Sequence, residues 1–530
     1  GISFSLPSIA RRGAWFVEPN QTTDGAVYPW EIELGQGQGW EAVTARREDF
    51  GLPFGIQARH ILKPAALPAQ ISDVRSGGRV RYVSGRAWED AESIEIFKRD
   101  YLADEVGSWQ AMLDGSEPVV IPAHSQRQVV LDLAQYVCAY PQIRVSGGEN
   151  SRLSMGWAEA LYLDSSRKAK GQRDEVEGKT FIALCNDELL PDGGMGRQFE
   201  PLWWRAGRFI LLLVETGEQP LTVEGFRLRE TRYPLEMESS FKSSDSRLEA
   251  VIPVALRGLQ MCAHETYMDC PYYEQMMYVG DTRLEALTTY AISSDDRLPR
   301  KAIKLFELSR LPEGFTQARY PGRDQQLIPP FALWWIGMVY DYALWRGERA
   351  FIGEMLPGVR AVLDGFLAYM GDGNLVQSPP TGWNFYDWVA DWPSGVPPSG
   401  FEGYSGLLNW HLVYTFGLAA QLEEWAGESW CAQRWRDWRD TVAAACKASF
   451  WDEGNGLFAD DLTHAHFSEH TQCLALLSGA LAGEQYTRTA QNLLSNTALT
   501  RTTIYFTHYL FETYRLLERP EAFFSRMGLW

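Results

Sequence analysis

The sequence predicts a multidomain protein in which antiparallel β-sandwich domains are followed by an all-α toroid. The chain has 530 residues, more than a single hydrophobic core usually holds. Its first part consists of short runs of branched and aromatic residues separated by turn residues, whereas its second part spaces apolar residues at helical intervals. The pattern changes near residue 238. We therefore expect a small β unit over residues 1–75, a jelly-roll-like β-sandwich over 76–238 and a helical domain over 239–530.

Strands are expected in the first part because apolar runs alternate with Gly, Ser, Asp and Asn. The clearest runs cover residues 119–122, 128–133, 136–140 and 209–215. Few stretches there repeat their apolar residues every 3.6 positions, so antiparallel sheets packed face to face are favoured. Pro64 and Pro68 interrupt regular structure and place the boundary between the two β domains near residue 76.

Helices are expected throughout the second part. Residues 244–259 begin with cap-type residues and continue with helical apolar spacing, despite an interior proline. Thr282 and Glu285 form a capping-box pattern, which predicts that a helix is capped at Thr282. Further helical runs begin near residues 298, 331, 350, 405, 429, 468, 483, 501 and 519. About eleven helices in succession favour a toroid of two concentric helix rings over a plain bundle.

The composition excludes several classes of function. A net charge of −19 disfavours binding to nucleic acid, whose phosphates attract basic surfaces. No window approaches the roughly 20 apolar residues of a membrane span, so we expect a soluble protein that needs no membrane. The seven cysteines include no C-x-x-C pair, and His464, His466 and His470 lack a standard ligand spacing. No metal and no other cofactor is therefore predicted.

The densest group of functional side chains is the segment Asp269-Cys-Pro-Tyr-Tyr-Glu-Gln-Met-Met-Tyr-Val-Gly-Asp281. A helix cap at Thr282 would leave this segment as an exposed loop, turned at Gly280. Glycoside hydrolysis needs one carboxylic acid to protonate the leaving oxygen and a second carboxylate to activate water or attack carbon. Aromatic rings and like charges raise a carboxyl pKa, so Glu274 suits the acid. The spacing equally allows Asp269 and Asp281 to be helix caps and Glu274 a solvated carboxylate.

Residues 268–281 resemble the signature loop of the bacterial α-L-rhamnosidases, inverting glycosidases with an (α/α)6 catalytic barrel. The resemblance implies that Glu274 is the general acid. It also implies that Asp269 and Asp281 bind rhamnose hydroxyls, and that Tyr278 replaces an aromatic residue that is usually Trp. The expected substrate is therefore a rhamnose-containing oligosaccharide, polysaccharide or glycoside. The protein would act in the cytoplasm or the periplasm of a bacterium.

The resemblance extends over most of the chain from about residue 110. Residues 156–161, 191–194 and 201–205 resemble the β-sandwich that precedes the barrel in this family. Gly382-Trp-Asn-Phe-Tyr-Asp-Trp388 resembles the family's Asp-Trp element, which implies sugar contacts at Asp387 and Trp388. Trp334 and Trp335, or Phe331 just before them, fall where the family has a further stacking aromatic residue.

The chain departs from the family pattern in two places. Tyr272 and Tyr273 stand where many members carry an Arg and one residue more, a change that affects the acid's pKa or the aglycone subsite. The family's general base is a Glu beyond the last predicted helix, so we expect a truncated chain whose toroid lacks its last helix. The alternatives are an internal base, a protein that binds sugars without hydrolysing them, or a lyase on the same fold. The internal candidates for the base are Asp387, Asp391, Glu402 and Glu469.

Overall fold

A computed structural model of the chain describes residues 20–30, 64–88 and 93–529, and it divides into two compact units. Unit 1 consists of Gly1–Leu235, Asp245–Glu265 and Cys270–Gln275. Unit 2 consists of Glu236–Ser244, Thr266–Asp269 and Met276–Trp530. The predicted first domain, residues 1–75, lies for the most part outside the described residues. The division into domains at 76–238 and 239–530 stays a prediction.

Unit 1 consists mainly of strands. They are β1 (Thr22–Asp24), β2 (Ile71–Arg75), β3 (Arg79–Ser84), β4 (Ser93–Glu95), β5 (Val119–Ile121), β6 (Gln126–Gly147), β7 (Arg152–Ala158), β8 (Thr180–Ile182), β9 (Cys185–Leu190), β10 (Arg197–Phe199), β11 (Arg205–Glu215) and β12 (Leu221–Arg232). The helices of this unit are α1 (Ala103–Leu113) and α2 (Ser246–Cys262), and a short 3₁₀ turn covers Lys98–Asp100.

Ten of the strands of unit 1 form one large, almost wholly antiparallel sheet, and β4 and β8 pair separately as a two-stranded sheet. The central path of the large sheet runs β1-β9-β7-β11-β6-β12-β2, with β3 and β10 also paired to β6, and β5 to β12. Only the pairing of β1 with β9 is parallel among the described strands. In β11, Phe209, Leu211 and Leu213 join one buried apolar cluster, and the alternate residues join another. The centre of the sheet is therefore buried on both faces, as a continuous apolar run predicts.

The strand β6 differs from the sequence prediction. The pattern predicts separate strands at 128–133 and 136–140, but both runs lie within β6. Between them Ala134 has a φ of 62°, and its N–H donates to Asp132 Oδ1 at 2.9 Å. The register with β11 shifts at the same level, between Gly207 and Phe209. A bulge, in which residues 133–136 of β6 lie opposite Arg208 alone, accommodates the extra residues and bends the strand without ending it.

The sequence pattern does not predict α1. Its residues Trp109, Met112 and Leu113 are buried in the same apolar cluster as one face of β6. Their spacing is helical, but it extends over little more than one turn. Such a short repeat does not stand out against the strand-like pattern on either side.

Unit 2 consists of helices and one short ribbon. The helices are α3 (Val279–Ile292), α4 (Arg297–Leu308), α5 (Pro329–Arg346), α6 (Arg349–Leu367), α7 (Gly406–Ala426), α8 (Ser429–Ser449), α9 (Glu469–Leu477), α10 (Gly483–Ser495), α11 (Thr507–Leu516) and α12 (Pro520–Met527). The ribbon pairs β13 (Trp451–Asp452) with β14 (Leu457–Phe458), and a 3₁₀ turn covers Pro393–Gly395. With α2, the described residues after 238 contain eleven helices, close to the predicted number. None of the described helices combines the length and the apolar character that a membrane span requires.

Most of these helices begin within two residues of the predicted start, and α11 is the main exception. The pattern predicts its start near residue 501, but the helix begins at Thr507. The N–H of Thr502 donates to Glu469 Oε2 at 2.8 Å, and the N–H of Thr503 donates to Asp387 Oδ2 at 2.8 Å. These distant acceptors hold residues 502 and 503 outside the helix, so the local pattern misplaces its start.

The helices of unit 2 form two layers. The helices α3, α5, α7, α9 and α11 pack on one another in that order, and each of α4, α6, α8, α10 and α12 packs on the helix before it. Burial follows the same division, because α5 and α7 are buried on most sides whereas α4 and α10 bury one face. A helix that is apolar all round belongs inside a domain, and an amphipathic helix belongs at its surface.

The segments that lead into the inner helices are joined by backbone hydrogen bonds. Each bond links one segment to the next: Val279 N to Ala318 O (2.9 Å), Trp383 N to Leu327 O (2.8 Å), Gly406 N to Asp460 O (2.8 Å) and Glu469 N to Thr500 O (2.9 Å). The segments before α3, α5, α7, α9 and α11 therefore lie side by side in unit 2. Most of the site residues that the sequence predicts in unit 2 lie on these segments or in the first turns that follow them.

Candidate active site

The start of α3 determines where Asp281 lies. The helix begins at Val279 with Tyr278 as its N-cap residue, so the predicted cap at Thr282 is wrong. The N–H of Thr282 donates to Tyr278 O at 3.0 Å, and its buried hydroxyl has no hydrogen-bond partner among the described residues. Asp281 consequently lies in the first turn of α3. There the unsatisfied N–H groups and the helix dipole favour negative charge.

Gly280 is helical, so the predicted turn at this residue is wrong. A Cβ at Gly280 would lie 2.7 Å from Cζ of Phe331 and would also collide with the hydroxyl of Tyr505. Glycine is therefore required here because two side chains approach the helix backbone closely. This approach brings the segment before α11 next to the first turn of α3, beside Asp281.

Asp269 and Asp281 lie close to a third carboxyl group in unit 2. Glu285 follows Asp281 by one turn of α3, and its Oε2 is buried without a hydrogen-bond partner among the described residues. Burial, and then the charges of Asp281 and Asp269, raise the pKa of Glu285 well above its usual value. Both predicted sugar-binding aspartates therefore lie near enough to Glu285 for their charges to raise its pKa. The i, i+4 spacing from Asp281 is the sequence signal for Glu285, for which the capping-box pattern predicts only a capping role.

The phenol of Tyr505 lies near both Asp281 and Asp387. Burial raises the pKa of the Tyr505 phenol well above its usual value, and the negative charges of Asp281 and Asp387 contribute to the shift. The phenol therefore lies near both carboxylates, although they come from different segments. Sequence reasoning missed Tyr505, because nothing in the local sequence indicates that its segment reaches α3.

Asp387 is fully buried and its carboxylate is saturated with hydrogen bonds. Oδ2 accepts from His470 Nε2 at 2.8 Å and from the N–H of Thr503 at 2.8 Å. Oδ1 accepts from the N–H of Trp388 at 2.9 Å and from the hydroxyl of Thr503. Charge-assisted bonds of this kind hold a carboxylate in one orientation. Direct contact of Asp387 with a sugar stays a prediction.

The predicted stacking residues differ in exposure. Trp388 has 63% of its surface exposed among the described residues, and it packs against Phe385 and Trp383 with ring centroids 5.0 and 5.7 Å apart. Trp334 and Trp335 are fully buried in α5. Trp388 thus presents an accessible ring, whereas a sugar-stacking role for the two buried residues stays a prediction.

The burial of the two α5 tryptophans has a clear structural cause. Trp334 stacks on Tyr509 at 4.2 Å and lies 3.8 Å from the ring of His411. Trp335 donates its indole N–H to Ile303 O of α4 at 3.1 Å. Both rings therefore contribute to the packing between helices.

The internal carboxylates considered as the base fall into two groups. Asp387 and Glu469 are buried with both oxygens engaged, since Glu469 pairs with Arg526 and accepts from the N–H of Thr502 at 2.8 Å. Asp391 and Glu402 are exposed on the segment before α7. Only the second group presents carboxylates on the surface of the described residues.

The three neighbouring histidines each pair with a different aspartate. His464 hydrogen-bonds Asp452 at 3.1 Å, and His466 hydrogen-bonds Asp461 at 2.8 Å, while His470 is paired with Asp387. In residues 20–30, 64–88 and 93–529, no group of three or more His, Cys, Asp or Glu side chains could hold a metal ion.

The segment Cys270–Gln275, which carries Glu274, belongs to unit 1. Tyr272 is buried, and its hydroxyl donates to Trp157 O of β7 at 2.7 Å and accepts from the N–H of Leu184 at 3.2 Å. These bonds fasten the residues before Glu274 to the sheet.

The residue after Glu274 closes a turn. Gln275 has a φ of 57°, and its N–H donates to Cys270 O at 3.0 Å. Its side-chain Nε2 also donates to Pro271 O at 2.9 Å. Glu274 is therefore a half-buried residue within a closed turn whose backbone is fixed on both sides.

Comparison with known families matches residues 236–505 to the bacterial alpha-L-rhamnosidase 6 hairpin glycosidase domain. This range contains the whole segment 269–281 and all the other predicted site residues. A search of curated proteins found no match to the chain.

Several solved structures share the fold. The GH78 family rhamnosidase of Bacillus sp. GL1 has a TM-score of 0.68 at 22% identity, covering 79% of this chain and 43% of the Bacillus chain. A rhamnosidase from Klebsiella oxytoca with rhamnose bound has a TM-score of 0.67 at 18% identity, covering 86% of each chain. The Streptomyces avermitilis alpha-L-rhamnosidase complexed with L-rhamnose has a TM-score of 0.57 at 16% identity, covering 76% of this chain and 38% of the other. The chain thus spans less than half of the Bacillus and Streptomyces proteins.

Proposed function

Because this chain belongs to the bacterial α-L-rhamnosidase six-hairpin glycosidase family, we propose that it hydrolyses glycosides and releases terminal α-L-rhamnose with inversion. The observation that carries the proposal is the convergence of carboxylates from separate segments. The charges of Asp269 and Asp281 both raise the pKa of Glu285. The charges of Asp281 and Asp387 both raise the pKa of Tyr505. The related structures with bound rhamnose support this sugar as the group recognised.

The proposed architecture is a β-sandwich followed by an (α/α)6 barrel. The sheet of unit 1 is buried on both faces, which suits a sandwich. The inner and outer layers of unit 2 would form the two rings of the barrel. The segments that enter the inner helices then form the rim on which the sugar-binding residues lie.

In the proposed mechanism Glu274 protonates the glycosidic oxygen while water attacks the anomeric carbon from the opposite face. The anchors at Tyr272 and Gln275 suit this role, because a general acid must be held within hydrogen-bond reach of one atom. The second carboxylate of an inverting pair stands about 6.5–9.5 Å away, leaving room for the water. Asp391 and Glu402 are the internal candidates whose exposure leaves them accessible to water.

Rhamnose would be bound by the remaining predicted residues. Asp269 and Asp281 would accept hydrogen bonds from its hydroxyls. The exposed ring of Trp388 would stack on an apolar face, and the buried Tyr278 would line the site beside it. Asp387 would act through the groups that it orients, namely the backbone of Trp388 and the hydroxyl of Thr503. Trp334 and Trp335 would support the site by packing, since both rings are fully buried.

The test is rhamnose release from an aryl α-L-rhamnoside, with the anomer formed first followed by NMR. We expect β-L-rhamnose as the first product, and Glu274→Gln should lower the rate by about 10²–10⁴-fold. Glu218→Gln is the matched control, because this carboxylate of unit 1 is 90% exposed.

Three outcomes would contradict parts of the proposal. A rate for Glu274→Gln within a few-fold of the unmodified protein would remove Glu274 as the acid. Rhamnose binding by calorimetry without turnover would instead indicate a sugar-binding protein. An unsaturated product that absorbs in the near ultraviolet would indicate a lyase.

A further inference from the structure

An exposed tryptophan of unit 1 lies next to the segment that carries Glu274. The indole N–H of Trp203 donates to the side-chain Oε1 of Gln275 at 2.7 Å. Gln275 directly follows Glu274 in the chain. The indole is therefore anchored to the residue beside the proposed acid, although the two are far apart in sequence.

Trp203 is the outermost member of a stack of three rings, formed with Trp204 and His264. Its ring lies 6.2 Å from that of Trp204 at an interplanar angle of 21°, and Trp204 lies 4.1 Å from His264 at 9°. Trp204 and His264 are both buried. Burial lowers the pKa of His264 to about 4, so this ring is neutral near pH 7. A rigid, uncharged stack thus fixes the orientation of the outermost ring.

The neighbour on the other side of Trp204 strengthens this anchor. Arg205 is buried and pairs with Asp187 at 2.6 Å within the sheet. The chain around Trp203 is therefore held by a buried ion pair and a ring stack. A side chain in such a position loses little conformational entropy when a ligand packs on it.

Trp203 nevertheless keeps an accessible surface. It is 38% exposed and Leu202 is 64% exposed among the described residues. The indole has a single donor, and Gln275 occupies it. What Trp203 offers to a ligand is therefore its ring, which binds a flat apolar face by stacking.

We propose that Trp203 is the platform of the leaving-group subsite, on which the ring of the group attached to rhamnose stacks. This inference rests on the proposed function. The glycosidic oxygen that Glu274 protonates joins rhamnose to its leaving group, so the first ring of that group must lie beside the acid. Trp203 is anchored one residue from Glu274. The ligand chemistry is a ring with a flat apolar face, which either an aryl group or a second sugar supplies.

The test compares the specificity constant kcat/KM for three α-L-rhamnosides, whose leaving groups are methanol, 4-nitrophenol and glucose. Trp203→Ala should lower the ratio of the 4-nitrophenyl or the glucose substrate to the methyl substrate by about five- to tenfold. Trp203→Phe should keep the ratio within about twofold, because it retains a ring. Trp430→Ala, which removes a 75% exposed tryptophan of α8, is the control and should change no ratio.

The pattern of losses identifies the source of the ring. A loss confined to the 4-nitrophenyl substrate assigns the platform to aryl groups, and a loss confined to the glucose substrate assigns it to sugars. Equal losses on all three substrates would overturn the proposal, because Trp203 would then only support Gln275. Gln275→Ala calibrates that structural effect, since it removes the hydrogen bond and leaves the ring.

Calorimetry separates this inference from the proposed function. If the unmodified protein releases no rhamnose from any substrate, the proposed function fails. The platform is then judged by the binding of 4-nitrophenyl and methyl rhamnoside. Trp203→Ala should weaken the first by about five- to tenfold and leave the second unchanged. Equal binding changes for the two ligands, or none, would overturn the platform.

Discussion

The segment Cys270–Gln275 of unit 1 and the carboxylate Asp387 of unit 2 have different kinds of anchor. In the first, the anchors are the hydroxyl of Tyr272 and the amide of Gln275, on either side of Glu274. In the second, the anchors attach to the carboxylate itself, through His470 and Thr503. One arrangement fixes a backbone, and the other fixes a charge.

The difference indicates how the two carboxyl groups can function. A general acid must gain and lose a proton during each turnover, so its neighbours should fix its place without depending on its charge. A carboxylate that accepts several charge-assisted bonds is stabilised as the anion, and protonation would break those bonds. Asp387 therefore suits a structural role within its network, whereas the bonds of Tyr272 and Gln275 hold the backbone that carries Glu274.

The largest expected effect is that of Asp387→Asn. Removing this charge from a fully buried network should lower the free energy of unfolding by about 3 kcal/mol or more, measured by urea denaturation. Rhamnose release should fall as well, because the amide keeps only one acceptor oxygen and cannot accept the bonds that Trp388 and Thr503 donate to the two carboxylate oxygens. Asp391→Asn, on the same segment but exposed, is the matched control and should leave stability almost unchanged. A stability loss below about 1 kcal/mol would show that the hydrogen bonds to Asp387 do not stabilise the fold as a cooperative network.

The next effect concerns Asp460, a second buried carboxyl group of unit 2. Burial raises its pKa from 3.8 to about 6, and its Oδ2 lacks a hydrogen-bond partner among the described residues. The folded state therefore binds this proton more tightly than the unfolded state. The resulting stabilisation is complete below the unfolded pKa and is lost as the pH rises through about 4 to 6.

Asp460→Asn tests this difference between two buried carboxyl groups. Between about pH 4 and pH 7, the unmodified protein should lose about 2.5 kcal/mol more of its free energy of unfolding than the variant. Denaturant titrations across this pH range give the measurement. Parallel pH profiles for the two proteins would mean that protonation of Asp460 does not contribute to stability in this range.

A smaller effect is expected for Tyr272→Phe, which removes one anchor of Glu274. The variant leaves Trp157 O and the N–H of Leu184 without this partner, so unfolding should become easier by about 2 kcal/mol. If the anchor positions the acid, kcat should fall several-fold while KM stays near its original value. Tyr101→Phe, at an exposed tyrosine of unit 1, is the control. An unchanged kcat would show that the hydrogen bonds of Tyr272 do not contribute to catalysis.

The smallest effect is expected for Thr282→Val. A capping threonine usually contributes about 1 kcal/mol to stability, but the Thr282 hydroxyl is buried and unpaired among the described residues. Replacing it with a methyl group of similar shape should change the free energy of unfolding by less than about 0.5 kcal/mol, or raise it slightly. A loss of about 1 kcal/mol would instead indicate that the Thr282 hydroxyl caps the helix.

Local patterns in the sequence predicted most of the secondary structure. The change from strands to helices near residue 238 and most helix starts follow from apolar spacing over a few residues, which depends on the backbone alone. The failures have tertiary causes. Ala134 bulges instead of ending a strand, and the segment before α11 is held by Glu469 and Asp387.

The sequence by itself predicted a glycosidase and the residues proposed for it, because the segment from Asp269 to Asp281, which carries the resemblance to the family, is contiguous. Only the tertiary structure decided which side chains are accessible. It exposed Trp388, buried Trp334, and brought Trp203 to the residue beside Glu274. The physical reason is that burial and hydrogen bonding depend on partners far along the chain, and no spacing within one segment encodes them.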